Sequence, residues 1–342
     1  MAAELAKQLS AATSPAPTLL RWLQTAKATV TPQDLQEAGA TVLEAWWLAH
    51  AGFQPPPGAA PGSGLAALTA DAEGPAAPVW VADLVHIQVG RDGLVLTDPV
   101  DLDITAEESQ TLLASIRDLF ETDGFGVEFL TPRQWRVTLP EGVSPYAATT
   151  SAVVGKSLDS WWPKGVAARP WRRLANEIQM SWHEHPVNEA RLARGASPIN
   201  GLWLHGGAPA WVPIWQQETP RHIVGNPQWL QALAERAKIA WSGASMPATQ
   251  LRAGAIVTLD ELDAPCQSQS WGDWLAALKN IDQTWFAPLD EALAKGTFTH
   301  IDLVLPDAQR VVTLHVTRRP ALLRWLPQPR QNWNSWWLHP VS

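Results

Sequence analysis

Between residues 79 and 139 the chain alternates strand-like runs with one capped helix, and this alternation constrains the fold more than any other feature. The runs are WVADLVHIQV (80–89), GLVLTD (93–98), GVEFL (126–130) and QWRVTL (134–139). The first two flank Arg91-Asp92-Gly93, and an Asp-Gly pair favours a tight hairpin. Between the pairs, Thr105 and Glu108 have the spacing of a capping box, which predicts a helix that ends near Gly124. Hairpin, helix and hairpin predict a mixed α/β (α+β) fold in which antiparallel hairpins pack on helices.

The length and the Pro/Gly distribution suggest how the chain is divided. A chain of 342 residues predicts a two-lobed unit or two domains. Thr31-Pro32 resembles a helix start, and that helix would run to Gly52. We expect an N-terminal helical segment (1–52), a Pro/Gly/Ala-rich linker or loop (53–78), an α+β region (79–225) and a C-terminal α/β region (226–342).

Charge and cysteine content exclude some classes of partner. The net charge is −8 without long basic runs, which argues against nucleic acid and anionic membranes as partners. Cys266 is the single cysteine, so no intrachain disulfide can form. No run of 18 apolar residues is present, and the first residues lack the pattern of a secretory signal. We expect a cytoplasmic protein.

The chain is rich in tryptophan, with 21 tryptophans, six phenylalanines and one tyrosine. Indole rings can stack on sugars or bases, but they also fill cores while keeping an N–H for a partner. The tryptophans scatter along the whole chain, which favours the core interpretation.

The stretch HPVNEARLARGASPINGLWLHGG (185–207) gathers the most polar groups. Pro186 and Gly195 predict a short helix between them, with His185, Asn188 and Arg191 along one strip. A strand with Asn200 follows, and His205, Gly206 and Gly207 close it. The two glycines would let backbone N–H groups approach a ligand closely. An imidazole, a guanidinium and amides suit a small phosphorylated or carboxylated molecule. The alternative is structural, with the amides and Arg191 satisfying partners within the chain.

This stretch resembles a segment of the archaeal-type, cofactor-independent phosphoglycerate mutases. ADLVHIQVGRDGLVLTDPVDLDITAEESQTLLASI (82–116) is similar to the same family upstream. The chain also resembles the RpfE-type regulatory proteins of proteobacteria, which are related to that family, over about residues 80–207 and more faintly over 255–326. The resemblance implies a bacterial protein with an alkaline-phosphatase-like fold. The family's enzymes use two metal ions (manganese or zinc) and a nucleophilic serine.

The implied catalytic parts are incomplete in this chain. Ser63, in Pro-Gly-Ser-Gly, is the candidate nucleophile, although the family has an aspartate after its serine. Asp260 and Asp263 lie in the segment that resembles the family's metal-binding segment, but Thr258 and Gln267 stand where imidazoles are expected. Two metals need several converging ligands, so we expect no metal site and a pseudoenzyme.

Three functions are therefore considered. The first is a non-catalytic, regulatory protein that binds a small phosphorylated or carboxylated metabolite. The second is an active mutase or phosphatase whose manganese or zinc is held by Asp260, Asp263, His300 and His315. The third is an adaptor whose tail, NWNSWWLHP (332–340), docks on a protein partner; that tail can equally pack on the core.

Overall fold

The mixed α/β class is confirmed by the computed structural model, which describes residues 14–32, 39–70, 77–90, 93–215, 217–307, 309–318 and 330–338. Contacts within the chain define two compact units. Unit 1 comprises residues 1–36 and 218–342, and unit 2 comprises residues 37–217. None of the described helices is long and apolar enough to cross a bilayer.

Helices and strands are interspersed along the chain in both units. The α-helices in the described ranges are α1 (Pro17–Thr25), α2 (Val42–His50), α3 (Gly64–Thr69), α4 (Ala106–Thr122), α5 (Thr150–Val153), α6 (Arg169–Trp182), α7 (Pro186–Ala193), α8 (Gln228–Ala237), α9 (Asp263–Gln267), α10 (Trp271–Ile281), α11 (Ala287–Lys295) and α12 (Ser335–Leu338). The strands are β1 (Lys27–Pro32), β2 (Val79–Gly90), β3 (Gly93–Thr97), β4 (Gly126–Thr131), β5 (Gln134–Thr138), β6 (Gly201–Ala208), β7 (His222–Val224), β8 (Ala240–Ser242), β9 (Ala255–Val257), β10 (His300–Pro306) and β11 (Arg310–Thr317).

Unit 2 is built around β2, a twelve-residue strand whose first seven residues are all buried. β2 pairs antiparallel with β3, β5 and β6, and β4 completes the sheet beside β5. Both predicted hairpins are confirmed, although Arg91 and Asp92 in the first turn lie outside the described residues. Helix α4 starts as predicted, because Thr105 and Glu108 form the reciprocal capping box. Its buried face and that of α6 pack on the sheet to form the core.

The predicted helix from Thr31 is wrong at its start. Thr31 and Pro32 end strand β1, where they lie opposite Val311 and Arg310 of β11. The helix begins at Val42, and Thr41 and Glu44 make its capping box. Thr31 has the local pattern of a helix cap, but it pairs with a strand about 280 residues further along the chain. A local sequence pattern carries no information about such a distant partner.

The units also divide the chain differently from the predicted segments. The segment 1–52 is split between the two units, and the second division lies at 217/218 rather than at 225/226. The expected linker, 53–78, includes a 3₁₀ turn (Pro61–Ser63) and α3, whose first five residues are buried.

Unit 1 contains two sheets and one long helix. The order β1-β11-β10 is antiparallel, whereas β8-β7-β9 is parallel. The helix runs from α10 through a π-helical segment (Asp282–Phe286) into α11. A proline inside a helix commonly breaks it, but the wider π turn directly before Pro288 accommodates this residue, which lacks an N–H, without ending the helix.

The π segment and the C-terminal tail both contact the core of unit 1. The carboxylate of Asp282 accepts the N–H groups of Thr18 and Leu19, at 3.3 and 2.8 Å, and so caps α1. In the tail, Trp333 is buried in the same core, and Gln331 donates to the carbonyl groups of Leu23 and Ala26. These contacts favour the core interpretation of the tail.

Candidate functional site

The motif 185–207 forms α7 and β6 of unit 2, close to the predicted helix and strand. His185 is the N-cap, and its Nδ1 accepts the N–H of Val187 at 3.2 Å. Burial lowers the pKa of His185, so its ring is neutral near pH 7 and can act as this acceptor.

Arg191 is fully buried, and its guanidinium binds groups of the chain itself. Nε donates to the carbonyl of Ser197 at 2.8 Å, one terminal nitrogen contacts Glu108 at 2.9 Å, and the other donates to the carbonyl of Leu102. Glu108 also closes the capping box of α4 and pairs with Arg194 at 2.6 Å. Arg191 therefore joins α7 to α4, and it has no guanidinium nitrogen left without a partner.

The two asparagines of the motif replace missing backbone partners. Asn188 donates to the carbonyl groups of Trp182 and Ile199 and accepts the N–H of Ile199, all within 2.9 Å. Asn200 accepts from the N–H of Ile87 and donates to its carbonyl, and so continues the pairing of β6 with β2. Ligand binding by Asn188, Arg191 and Asn200 stays a prediction, and these contacts support the structural alternative instead.

Gly206 and Gly207 lie within β6 instead of ending it. A Cβ on Gly206 would lie 2.3 Å from the carbonyl oxygen of Val79, and one on Gly207 would lie 2.8 Å from the ring of Trp80. Both have positive φ, at 114° and 103°, next to a bulge in the β2–β6 pairing. The glycines permit close strand packing, so the predicted approach of Gly206 to a ligand has no support from its position.

His205 and Asp83 form a buried ion pair between β6 and β2. Nε2 of His205 lies 3.2 Å from Oδ2 of Asp83, with an alignment outside hydrogen-bond geometry. Asp83 also accepts from Gln134 at 2.8 Å and from Thr150. Both members of the pair are more than 90% buried.

The pair shifts both ionisation equilibria towards the charged forms. Burial by itself would lower the pKa of His205, but the charge of Asp83 and the more distant charge of Glu44 raise it above 6.5. Burial would likewise raise the pKa of Asp83, but His205 and the bonds from Thr150 and Gln134 lower it below 3.8. A buried pair held charged in this way is a structural element with a pH-dependent stability.

Ser63 lies at the end of the 3₁₀ turn that contacts β6. It is 99% buried, and its hydroxyl has no hydrogen-bond partner among the described residues. The preceding Gly62 is wedged against Thr149, whose hydroxyl donates to Glu44 at 2.8 Å. A nucleophile must reach its substrate, and this hydroxyl is enclosed.

The residues considered as metal ligands do not assemble. His300 and His315 are neighbours on the exposed face of β10 and β11, with ring centroids 4.9 Å apart, and His315 contacts Asp302 at 2.6 Å. Asp260 and Asp263 lie after β9 and at the start of α9. Across the described ranges, no group of three or more His, Cys, Asp or Glu side chains is placed to hold a metal ion. The residues present do not fit the two-metal centre that the resemblance implies.

A cleft of about 440 Å³ lies in unit 1, and its lining includes Glu261, between the metal-ligand candidates Asp260 and Asp263. Ala244, Ser245 and Met246 follow β8, and Glu261 follows β9, so the cleft lies beyond the carboxyl ends of the parallel strands. The order β8-β7-β9 puts the first strand in the middle, with its successors on opposite sides. Ligands of α/β proteins commonly bind at the carboxyl ends of such strands, where the connections diverge.

The opposite wall of the cleft comes from the long helix. This wall consists of Asn280, Gln283, Thr284, Trp285 and Pro288. The middle three of these residues belong to the π segment. π turns inside α-helices are frequent at functional sites. Pro247, Ala248 and Thr249 complete the lining.

Glu261 is the charged side chain among the described residues that line the cleft. Its Oε2 is buried and has no hydrogen-bond partner within the described part of the chain. Burial, and to a smaller degree the charge of Asp260, raises the pKa of Glu261; burial also raises that of Asp260. Two neighbouring carboxyl groups that are partly removed from water favour a bound positive charge.

A further recess of about 300 Å³ lies in unit 2, beside α4 and β4. Arg117, Glu121 and Glu128 are among its lining residues. It lies at neither a strand terminus of a parallel sheet nor a helix irregularity, so the unit 1 cleft is the stronger candidate site.

Three acidic residues that contribute to these sites were not predicted from the sequence motifs. Asp83 is a lone carboxylate in an apolar strand, and that pattern is a usable signal of a buried ion pair. Glu44 is marked by its capping box with Thr41. Glu261 is visible beside Asp260 and Asp263, but its place in the cleft depends on the parallel pairing of three short strands, which the sequence did not suggest.

Comparison with known proteins gives likenesses of structure. No family model and no curated protein matches the chain. The fold is similar to that of a cofactor-independent phosphoglycerate mutase from Thermoplasma acidophilum DSM 1728, at 14% identity, with 93% of this chain and 85% of that one covered and a TM-score of 0.38. It is also similar to the PH0037 protein from Pyrococcus horikoshii, at 12% identity, with 92% and 83% covered and a TM-score of 0.46.

Proposed function

We propose that this protein is a non-catalytic, regulatory protein that binds a small molecule in the unit 1 cleft. The observation that carries the proposal is the coincidence of three features: the carboxyl ends of β8 and β9, the π segment of the long helix, and a buried carboxylate oxygen of Glu261 without a hydrogen-bond partner in the described part of the chain. Concave sites with apolar walls and a few polar groups are the usual form of small-molecule sites.

The non-catalytic part of the proposal is supported by how the candidate catalytic groups are used. The Ser63 hydroxyl is enclosed, His205 is paired with Asp83, and Arg191 joins two helices. Each of these side chains would have to leave its partners or its enclosure before it could act on a substrate. The regulatory part comes from the RpfE-type resemblance. The cytoplasmic location follows from the single cysteine, and both are proposals only.

A binding screen with a matched blocking variant tests the cleft. Small metabolites of different charge are added to the whole chain, and binding is followed by ligand-observed NMR and by thermal shift. We expect at least one class to bind, and we expect Ala244→Leu, which narrows the cleft without changing its charge, to weaken that binding. Binding that is unchanged in Ala244→Leu, or no binding by any class, contradicts the proposal.

An activity assay tests the alternative of an active mutase or phosphatase. The protein is incubated with manganese or zinc and 3-phosphoglycerate, beside a Ser63→Ala variant. We expect no turnover above that of the metal alone. Turnover that disappears in Ser63→Ala would establish the enzyme and overturn the non-catalytic assignment.

The adaptor alternative is tested by deletion of residues 331–342. Because Trp333 is in the core of unit 1 and Gln331 bonds α1, we expect the deletion to destabilise unit 1. A deletion that leaves stability unchanged but abolishes the capture of a partner would favour the adaptor.

A further inference from the structure

We infer that the unit 1 cleft selects a small organic cation, a protonated amine with an apolar portion, and rejects phosphorylated ligands. The inference rests on the proposed function and names its ligand class. It differs from the phosphorylated metabolite expected from the sequence motif, because it depends on a different set of residues.

The charge of the lining is the first argument. Glu261 is acidic, and no Lys, Arg or His is among the described residues that line the cleft. Phosphate and carboxylate ligands are held by guanidinium, ammonium or clustered N–H groups. A phosphorylated ligand would bring a double negative charge next to Glu261, whose carboxyl group is already partly removed from water and acted on by the charge of Asp260.

The unsatisfied acceptor is the second argument. Oε2 of Glu261 is buried, and a buried carboxylate oxygen without a donor is costly. An ammonium group has three donors and no acceptor, so it can bind the carboxylate and still donate to further oxygens. Hydroxyl and amide oxygens that could accept these bonds belong to further lining residues, namely Ser245, Thr249, Asn280, Gln283 and Thr284.

The apolar walls are the third argument. Half of the lining residues are apolar: Ala244, Met246, Pro247, Ala248, Trp285 and Pro288. These side chains suit an alkyl or aryl portion of a ligand, whose removal from water supplies much of the affinity. The volume of about 440 Å³ is within the usual range for a small-molecule site.

The test uses three probes that differ only in the head group: butylamine, 1-butanol and butyl phosphate. Binding to the whole protein at pH 7 is measured by calorimetry and by NMR. We expect butylamine to bind at least about tenfold more tightly than butanol, and butyl phosphate to bind most weakly. Glu261→Gln should reduce the affinity for butylamine by about tenfold and leave that for butanol within about twofold, because the charge is removed at nearly constant shape.

A matched control keeps the result specific. Glu235→Gln changes an exposed carboxylate of α8 that lies outside the cleft and accepts from Gln231. We expect it to leave all three affinities unchanged, and circular dichroism of both variants should match the parent.

The possible failures are distinguishable. Preference for butanol or butyl phosphate, still weakened by Ala244→Leu, would keep the cleft as a binding site and overturn its cation selectivity. Tight binding of Mn²⁺ or Zn²⁺ that is lost in Glu261→Gln and displaces butylamine would make the site a metal site and overturn the inference. No binding of any probe, together with no hit in the metabolite screen, would overturn the proposed function as well.

Discussion

The buried charged groups of the 185–207 motif in unit 2 and Glu261 at the cleft of unit 1 use their polar atoms in opposite ways. In unit 2, Arg191 and the Asp83–His205 pair meet partners from the chain itself. In unit 1, Glu261 has a buried oxygen without a partner among the described residues, beside a cleft. A polar group that is satisfied internally stabilises the fold, whereas one left unsatisfied is a cost to the fold that a ligand can offset. Whether a buried polar group has a partner within the chain therefore locates the candidate site better than the number of polar residues in a segment does.

The largest expected effect is at Arg191. Arg191→Met leaves Glu108 and the carbonyl groups of Leu102 and Ser197 without this donor, so we expect a loss of about 3–5 kcal/mol in the unfolding free energy of unit 2. Urea unfolding followed by hydrogen exchange of peptides from 186–208 measures it. The control is Arg194→Met, whose half-exposed guanidinium pairs with the same carboxylate and should contribute about 1 kcal/mol or less. If Arg191→Met and Arg194→Met lower the unfolding free energy equally, the assignment of Arg191 as a buried structural group is contradicted.

Gly206 tests whether the end of the motif is a packing element. Gly206→Ala places a Cβ 2.3 Å from the carbonyl oxygen of Val79 in a backbone with positive φ, so we expect a loss of about 3 kcal/mol or more. Gly142→Ala is the control, since its φ is also positive, at 79°, and its Cβ meets nothing within 4 Å; strain alone should cost about 1 kcal/mol. If the two variants are equally stable, close packing at Gly206 is refuted.

The Asp83–His205 pair predicts a pH dependence of unit 2. The pKa of Asp83 lies below its usual 3.8 and that of His205 above its usual 6.5, so the pair gives its full stabilisation between these ordinary values. The stabilisation is lost as pH rises through the raised pKa of His205, or falls through the lowered pKa of Asp83, by about 1.4 kcal/mol for each pKa unit. Urea midpoints from pH 5 to 9 should fall for the parent and vary less for His205→Gln. Parallel pH profiles would contradict the ion pair.

The smallest expected effect, and the one of opposite sign, is at Glu261. Its raised pKa means that folding disfavours the charged form, so the unfolding free energy of unit 1 should fall as pH rises through that pKa. Glu261→Gln should therefore leave unit 1 as stable as the parent at pH 7, or more stable by up to about 1 kcal/mol. Differential scanning calorimetry measures this. A clear loss of stability would mean that Glu261 serves the fold as Arg191 does.

Local signals predicted much of unit 2. The Asp-Gly hairpin, the Thr105–Glu108 capping box and the helix of the motif are each contained within a few residues, and their strands and helices form where expected. The helix start predicted at Thr31 was wrong because Thr31 and Pro32 pair instead with β11 near the other end of the chain.

The motif itself illustrates the limit for function. The sequence determined that 185–207 would be a helix and a strand with a row of polar side chains. It left two interpretations open, because an amide or guanidinium that binds a ligand and one that binds a distant carbonyl are the same residue type.

By itself, the sequence determined the mixed α/β class, the antiparallel hairpins of unit 2 and the capped helix α4, because these depend on periodicity and on groups close along the chain. Only the tertiary structure decided where the buried charges find partners and where one does not. Arg191 reaches Leu102 across 89 residues, and β7, β8 and β9 meet side by side to form the edge on which the cleft lies. Satisfaction of a polar group depends on atoms brought together by folding, and the order of residues along the chain does not contain that proximity.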